Sequence, residues 1–558
     1  MSAAIRDQRL TWAALALAVL ANLLAINMPL MEGDATLYAN LAAAMVKSGD
    51  YIGLYARGQD WLDKPHLPFW IAAASFRLFG VSSWAYRLPA FLAIVGTAYY
   101  TFRLGSRYYG RTIGLWAAII LLTAEHTILS SADVRAEPFV TLFVIATTWY
   151  LIRVAEDDRW FSAAIAGALF AAAAMMSKGL FTLIPAGGAL AGHWVLRGRP
   201  PIAWRRWALV AVVAGIGIMP ELAALYDQFD RHPEKIVFGA TGVSGIRFFL
   251  WDSQFGRFLG NGPIRQQDAS PTFFLHTILW VFLPWSFALI LAVVRRVRLL
   301  RTGQAASTEW YTLSGATLMF VVFSASRFQL PHYLNIIFPF LAILTAGEVQ
   351  ARVSLPGFRL LGRVQIGLLI TMLGLGVAIG VLVRPEDGGA AALIALVEVA
   401  AMPVAWRAAA DNGVKVLVLS VLGAVAVNLY FERGIYPTLL RYDGGLQAAR
   451  YVNDRYPDAT VIVLGEQQRT SFEFALRRSP QYMNRLEDTS GVVTRPYLLL
   501  SRPPRNQPPD PRTVASFDHF GIAMPTLPFL NHRTRPRTLS RLDLLLITAA
   551  ASNTPTTR

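Results

Sequence analysis

The residues of this chain that could do chemistry fall into a few short motifs. Glu32-Gly33-Asp34 leads into Tyr38 and Asn40, and Asp63-Lys64-Pro65-His66 follows in the same stretch. Asp133, Arg135 and Glu137 make a third group, Ser177-Lys178-Gly179 a fourth, and Arg327 with His332 and Tyr333 a fifth. A positioned carboxylate takes a proton from a hydroxyl, and Lys or Arg holds an anion. Asp34 falls at the N-cap of an amphipathic helix. Its carboxylate either caps backbone N–H groups, a role worth about 1 kcal/mol, or serves as general base or hydroxyl ligand. Lys64-Pro65 precedes a second apolar helix, where outward N–H groups and an ammonium form an anion site; the competing reading is a lysine snorkelling to an interface.

The remaining charged groups recur at the ends of apolar segments. Ionisable residues at membrane depth are costly and face a cavity or a partner. Asp133, Glu137, Lys178 and Arg327 gathered on one face suit an anionic lipid headgroup and a nucleophilic hydroxyl, although each alone also reads as an interface charge. His332 beside Tyr333 reads as a hydrogen-bonded histidine and not as a metal ligand paired with His66 or His276. Glu156-Asp-Asp158 falls in a turn away from this set and reads as a solvated face.

What must position these residues is a membrane domain. Of 558 residues only 15% are charged and 54% are apolar, and mean hydropathy is +0.42. Uncharged windows of about 18 to 22 residues, long enough to cross about 30 Å of hydrocarbon, recur along the chain. The sequence predicts a polytopic α-helical membrane protein with about thirteen spans, the first retained and not a cleaved signal. The excess of 51 Lys+Arg over 35 Asp+Glu, a net +16, sits mostly in alternate short turns. It therefore marks cytoplasmic loops and not a nucleic-acid surface. That bias puts the amino terminus in the cytoplasm. The loops 31–85 and 227–271 and a tail from 433 to 558 lie on the outer side, the periplasm of a bacterium, with residues 1–432 as the transmembrane domain.

In the tail, Val461–Leu464 and Tyr497–Ser501 predict short strands, and 444–455 and 471–478 predict helices, so a small soluble α/β domain fits. Beyond Arg502 the chain is Pro- and Arg-rich, a composition of poor order. The absence of cysteine excludes disulfides and thiolate sites. No GxxxxGK[ST], GxGxxG or HExxH motif is present, which weighs against an ATP-driven pump and a zinc protease.

In order, Gly33-Asp34, Gly49-Asp-Tyr-Ile52, Asp63-Lys64-Pro65 with Trp70, Arg87-Leu-Pro89, Glu137-Pro138-Phe139, Ser177-Lys178-Gly179, Leu283-Pro284-Trp285 and Gln329-Leu-Pro331-His-Tyr333 resemble one family. It is that of the GT-C membrane glycosyltransferases, the bacterial relatives of protein O-mannosyltransferases that include the 4-amino-4-deoxy-L-arabinose transferase of lipid A. The similarity covers roughly the first 350 residues. It implies a GT-C fold and inverting transfer of a sugar from a polyprenyl-phosphate donor, such as an undecaprenyl phosphate, to an external acceptor. That acceptor is lipid A, another envelope glycan or a protein, and the site is the bacterial inner membrane. By resemblance Asp34 is catalytic, with Glu137 the second acidic position and Asp133 beside it. Lys64, Arg327 and Lys178 then bind the donor phosphate, and Tyr38, Asp63, His332 and Tyr333 the substrate.

Two departures bear on metal. Asp63 stands where the lipid A enzymes tend to have Glu, and Gln254 near where they have His. No metal or other cofactor is required, because cations beside a departing phosphate can replace a divalent ion. The competing class is a transporter or flippase of an anionic lipid-linked saccharide. It explains the membrane charges, but not why they gather at one face in loops and interfacial helices.

Overall fold

The structure, a computed structural model, describes residues 2–156, 158–199, 203–264, 269–353, 358–464, 469–483, 496–501 and 511–547. The Pro- and Arg-rich stretch 502–510 lies outside these. Among the described residues most of the long apolar runs are helical, and seven helices are long and apolar enough to cross a membrane. An eighth span results if Arg111–Thr123 and Glu125–Ala132, bent by 54°, count as one. Asn412–Leu440 is 83% buried over its apolar window and Gly389–Ala408 only 6%, so the first runs through the bundle and the second along its outside. Ile370, Val377, Leu393, Val397 and Val404 are exposed on such outer helices. A surface of that kind is stable only against lipid, and the protein is a polytopic helical membrane protein.

The first long loop is ordered. It holds the helix Asp34–Ser48, a two-stranded hairpin pairing Tyr55 with Asp60, and the helix Leu67–Phe79. Tyr38 packs edge-on against Phe69 at 5.4 Å, so the two helices share one small core with Ala42, Ala73 and Phe76. The second long loop continues the span Trp204–Asp230 and folds back through Gly245–Arg247 and the π-helical Phe248–Gly256.

Arg87 ties the first loop to the bundle. It is 1% exposed, and its guanidinium donates to the carbonyls of Ala132 (2.9 Å), Met28 and Pro29 (3.4 Å). Tyr86 Oη donates to Val134 O at 3.1 Å. One turn of the helix Ser83–Tyr109 thus fixes both the chain entering Asp34 and the chain entering Asp133 to Glu137.

The tail carries a five-stranded sheet. Its spatial order is Gln481–Met483, Thr460–Leu464, Tyr497–Ser501, Ser540–Ile547 and Pro511–His519. The first two pairings are parallel and the last two antiparallel. Leu498, Leu500, Leu542 and Leu544 meet Ala448, Ala449 and Val452 of the helix Gly444–Arg455, the two-layer α/β arrangement that the alternating pattern predicts. Two boundaries differ from expectation. The last apolar helix continues through a π turn to Leu440, so the α/β fold starts at Asp443 and not at 433. The second tail helix is Thr470–Ala475, and ends before 478.

Because three carbonyls depend on one buried guanidinium, Arg87→Ala leaves them unsatisfied at about 1 to 3 kcal/mol each. We expect a loss of about 3 kcal/mol or more, read as a lowered thermal midpoint in detergent. Arg87→Lys should recover only part of it, since an ammonium lacks the planar fork. An unchanged midpoint in Arg87→Ala would contradict this anchoring role.

Candidate functional site

Asp34 is the first residue of its helix, one position inside the expected N-cap. The cap is Gly33, with φ +146°, a backbone open to glycine alone. Thr36 Oγ1 accepts from the Gly33 N–H at 3.1 Å, so the Asp34 carboxylate is not the capping group. It pairs instead with Arg135 at 2.9 Å, and Asp133 pairs with the same guanidinium at 3.0 Å. The side chains of Asp34 and Asp133 are 48% and 36% exposed. Two half-open carboxylates thus share one cation, with a net negative charge facing solvent. Burial alone would lower the Arg135 pKa, but Asp133, Asp34 and Glu137 outweigh it and hold the guanidinium firmly charged.

Glu137 opens the next helix and is buried. It accepts from Lys178 at the end of Trp160–Lys178, and His332 Nε2 stands 3.5 Å away. The Lys178 ammonium lies 4.1 Å from the Tyr333 ring centre, a cation over a π face. Gly179 ends this helix at φ +107°, and a Cβ there would lie 2.1 Å from Gln254 Nε2, so only glycine admits the second loop here.

Asp63 joins the loops: its Oδ2 accepts from Lys64 at 2.6 Å and its Oδ1 from Arg257. Lys64, Lys178, Arg257, Tyr333 and Gln254 line a narrow cavity of about 80 Å³. Burial pulls the Lys64 pKa down to about 8 despite Asp63. Burial would raise Asp63, but Lys64 and Arg257 hold it below the usual range. Tyr38 is buried, and burial together with Asp34, Asp63 and Glu137 raises its pKa well above the ordinary phenol value. It therefore stays protonated among the carboxylates.

The structure brings together Asp34 with Asp133, Glu137 with Lys178, His332 and Tyr333, and Asp63 with Lys64. It separates Arg327, which is exposed and lines a different cleft of about 800 Å³ with Leu275, Phe320 and Ser324. The backbone N–H of Arg327 bonds to Phe258 O, and its stem crowds Gly260, so the side chain is carried to the outer side of this turn. Arg257, from the π-helical second loop, occupies the expected place and lies over Phe328 at 5.4 Å. Sequence reasoning missed it; the one signal was its place three residues after Gln254. Arg135 was grouped with Asp133 and Glu137 but given no role of its own, although it stands between these two carboxylates.

The N-terminal anion site expected at Pro65 is not built. The helix begins at Leu67 with Pro68 in its first turn, and the His66 N–H is taken by Glu221 Oε2 at 2.9 Å. His66 is buried with its ring between Glu221 and Ile52 O, and exposed His276 faces Thr272 O. A metal between Asp63 and Gln254 does not fit, since both Asp63 oxygens are used by cations. Glu156 and Asp158 pair with Arg107 at 2.6 and 2.9 Å, a structural network apart from the site.

Residues 63–223 match the family described as dolichyl-phosphate-mannose-protein mannosyltransferase. The chain is 28% identical over 352 residues to the undecaprenyl phosphate-alpha-4-amino-4-deoxy-L-arabinose arabinosyl transferase of Edwardsiella ictaluri, covering 62% of this chain and 60% of that one. It is 26% identical over 322 residues to transferase 2 of the same description from Sodalis glossinidius, covering 57% and 55%. The match thus spans less than two thirds of these curated relatives. In fold, the chain is similar to the crystal structure of ArnT from Cupriavidus metallidurans bound to undecaprenyl phosphate, with a TM-score of 0.72 at 18% identity over 97% of this chain and 98% of that one. Over nearly its whole length the chain shares the fold of that structure, and the resemblance read from the motifs agrees with the family match and with the relatives.

With a pKa near 8, Lys64 is only partly protonated in mildly alkaline solution. Between about 8 and 10.5 the unfolded chain binds the extra proton, so this group alone makes stability rise with pH across that window. Isotopic methylation of the lysine and NMR titration should find one resonance titrating near 8 that disappears in Lys64→Arg. Asp63→Asn should move it lower, since burial and Arg257 then act unopposed. A Lys64 titration at the ordinary 10.5 would sink this reading.

Proposed function

We propose that the protein is an inverting glycosyltransferase that moves a sugar from a polyprenyl-phosphate carrier to an acceptor (lipid A, another envelope glycan or a protein) at the external face of the membrane. The observation that carries this reading is the cavity where Lys64, Lys178 and Arg257 converge, within electrostatic reach of the carboxylate side through Tyr38, on which Asp34, Asp63 and Glu137 all act. The likeness to transferases named for undecaprenyl phosphate, and to a structure with that carrier bound, supports the donor class. Lipid A, as in the arabinose-transferring relatives' family, is the first acceptor to test; another envelope glycan or a protein are the others.

Three cations and the carboxylates of Asp63 and Glu137 sum to about one positive charge, matched to a singly charged phosphodiester donor. As the anomeric C–O bond breaks, the phosphate becomes a more highly charged monoester, so the same cations bind it more tightly as the sugar leaves. That is transition-state stabilisation. The acceptor oxygen forms the new anomeric bond from the opposite side, giving inversion, and its proton passes to Asp34. Asp133 and Arg135 hold Asp34 in place. Glu137 keeps Lys178 charged and oriented, and Tyr38, Tyr333 and His332 are assigned to substrate contact.

We place the chain in the bacterial inner membrane with about thirteen spans. The Arg-rich alternate turns support a cytoplasmic amino terminus and an external tail beginning after the last span.

Turnover in detergent with lipid-linked donor tests the reading and separates it from transport, which needs a sealed bilayer. Asp34→Asn should lose about 100-fold or more in kcat with the fold intact, since base catalysis contributes about 10² to 10⁴. Arg257→Ala and Lys64→Ala should lose both kcat and donor affinity, while Arg327→Ala should leave donor dependence near wild type. Full activity in Asp34→Asn, or normal donor dependence in both cavity variants, would remove the assigned roles.

A further inference from the structure

A second set of donor atoms lies where the tail sits on the first loop, apart from the cavity. Glu32, Asp443 and His519 each offer one ligand atom, and these lie within 4.8 Å of one another. Two ligands of one ion stand at most two metal–ligand bonds apart, about 4 to 5 Å for Zn²⁺ through Ca²⁺. Asp443 and His519 are 0% and 3% exposed, and Glu32 is half-buried.

His519 Nε2 is 3.9 Å from Glu32 Oε2, beyond the about 3.2 Å of a real bond and close to the spacing of two ligands on a shared ion. Glu32 Oε1 accepts from Arg469 Nη1 at 3.1 Å. Asp443 Oδ1 caps its helix, accepting from Leu446 N at 3.1 Å, and also accepts from Ser471 Oγ at 2.8 Å. Asp443 Oδ2 is buried with no well-formed hydrogen bond among the described residues, although the Glu32 backbone N–H faces the same carboxyl group. A carboxylate oxygen buried in that state is costly unless a cation meets it. Gly444 lets the imidazole in, since a Cβ there would lie 2.9 Å from His519 Cβ.

We propose that Glu32, Asp443 and His519 bind one divalent cation that pins the tail to the loop carrying Asp34. One imidazole nitrogen with two carboxylate oxygens is a donor set for Zn²⁺ or Mn²⁺. Arg469 and Ser471 orient the carboxylates from behind, as outer partners of metal ligands do. Glu32 lies two residues before Asp34, and Thr470 Oγ1 meets Thr36 Oγ1 at 2.6 Å. The ion therefore clamps the segment 469–471 onto the start of the Asp34 helix. The site is structural and stands independently of the reaction proposed above.

The test uses full-length protein without a polyhistidine tag, stripped by chelator in detergent and titrated with Zn²⁺ or Mn²⁺ against a chromophoric competitor. One equivalent should bind, remain through gel filtration and raise the thermal midpoint. Asp443→Asn and His519→Gln should each weaken binding by about 100-fold or more, in line with the sensitivity of such sites, and show no metal-dependent shift in midpoint. Both should elute like the wild type. His276→Gln should bind normally. A wild type that takes up no stoichiometric metal overturns the proposal. Full binding by both variants overturns it as well, and the wild-type stoichiometry decides the matter should a variant fail to fold.

Discussion

The buried pair of Glu137 and Lys178 is the interaction on which the outer face of this protein depends. Neither charge survives alone away from water. Removing one partner of such a pair costs about 3 to 5 kcal/mol because the other is left uncompensated. The pair joins the start of one span to the end of the next, so it also fixes where those helices stop. His332 and Tyr333, from the turn Pro331–Ile337, then close over it, the histidine toward the carboxylate and the ring under the ammonium. The second loop reaches the same point through Gln254 at Gly179. Four chain segments are thus registered against one another by a single compensated charge pair.

Around this pair the carboxylates and cations separate into two halves with different access to water. Asp63 serves both Lys64 and Arg257, leaving an excess of positive charge in a narrow cavity. Arg135 serves both Asp34 and Asp133, leaving an excess of negative charge at an opening. Each shared counterion is what leaves its half with a charge to offer a ligand. A one-to-one pairing throughout would have produced a stable face with nothing left to bind either a phosphate or a hydroxyl proton.

The apolar runs were legible because hydrocarbon thickness imposes helix length directly on the sequence. The tail was legible because alternation and apolar strands report a two-layer fold, although the boundary at 433 missed a π turn that carries the helix on to Leu440. Site residues were legible as types but not always as partners. Asp34 lay one residue from its expected position because Thr36, and not the aspartate, supplies the cap. Arg327 and Arg257 are equivalent in kind; only the π-helical turn of Phe248–Gly256 and the extended backbone at Ser326 decide which one faces inward. Nothing in spacing encodes that choice, since both lie in loops whose direction is set by packing.

The tail explains why the Asp34 helix begins where it does. Gly33 alone closes a cap on Thr36, yet Thr36 is 0% exposed because Thr470 covers it and Asn40 donates to Thr470 O at 3.0 Å. Arg469 pairs with Glu32 just before the cap, and Phe474 packs on Phe76 of the loop's second helix. On its other side the same segment is held by Arg87 through Met28 and Pro29. Asp34 is therefore fixed between a bundle residue beneath and a tail residue above, on a helix start that neither could hold alone. In the proposed reaction this divides the work: the membrane helices and the second loop grip the carrier phosphate, while the tail holds the start of the helix that carries Asp34. A change of acceptor then calls for changes in the tail and the first loop, and leaves the cations of the cavity as they are.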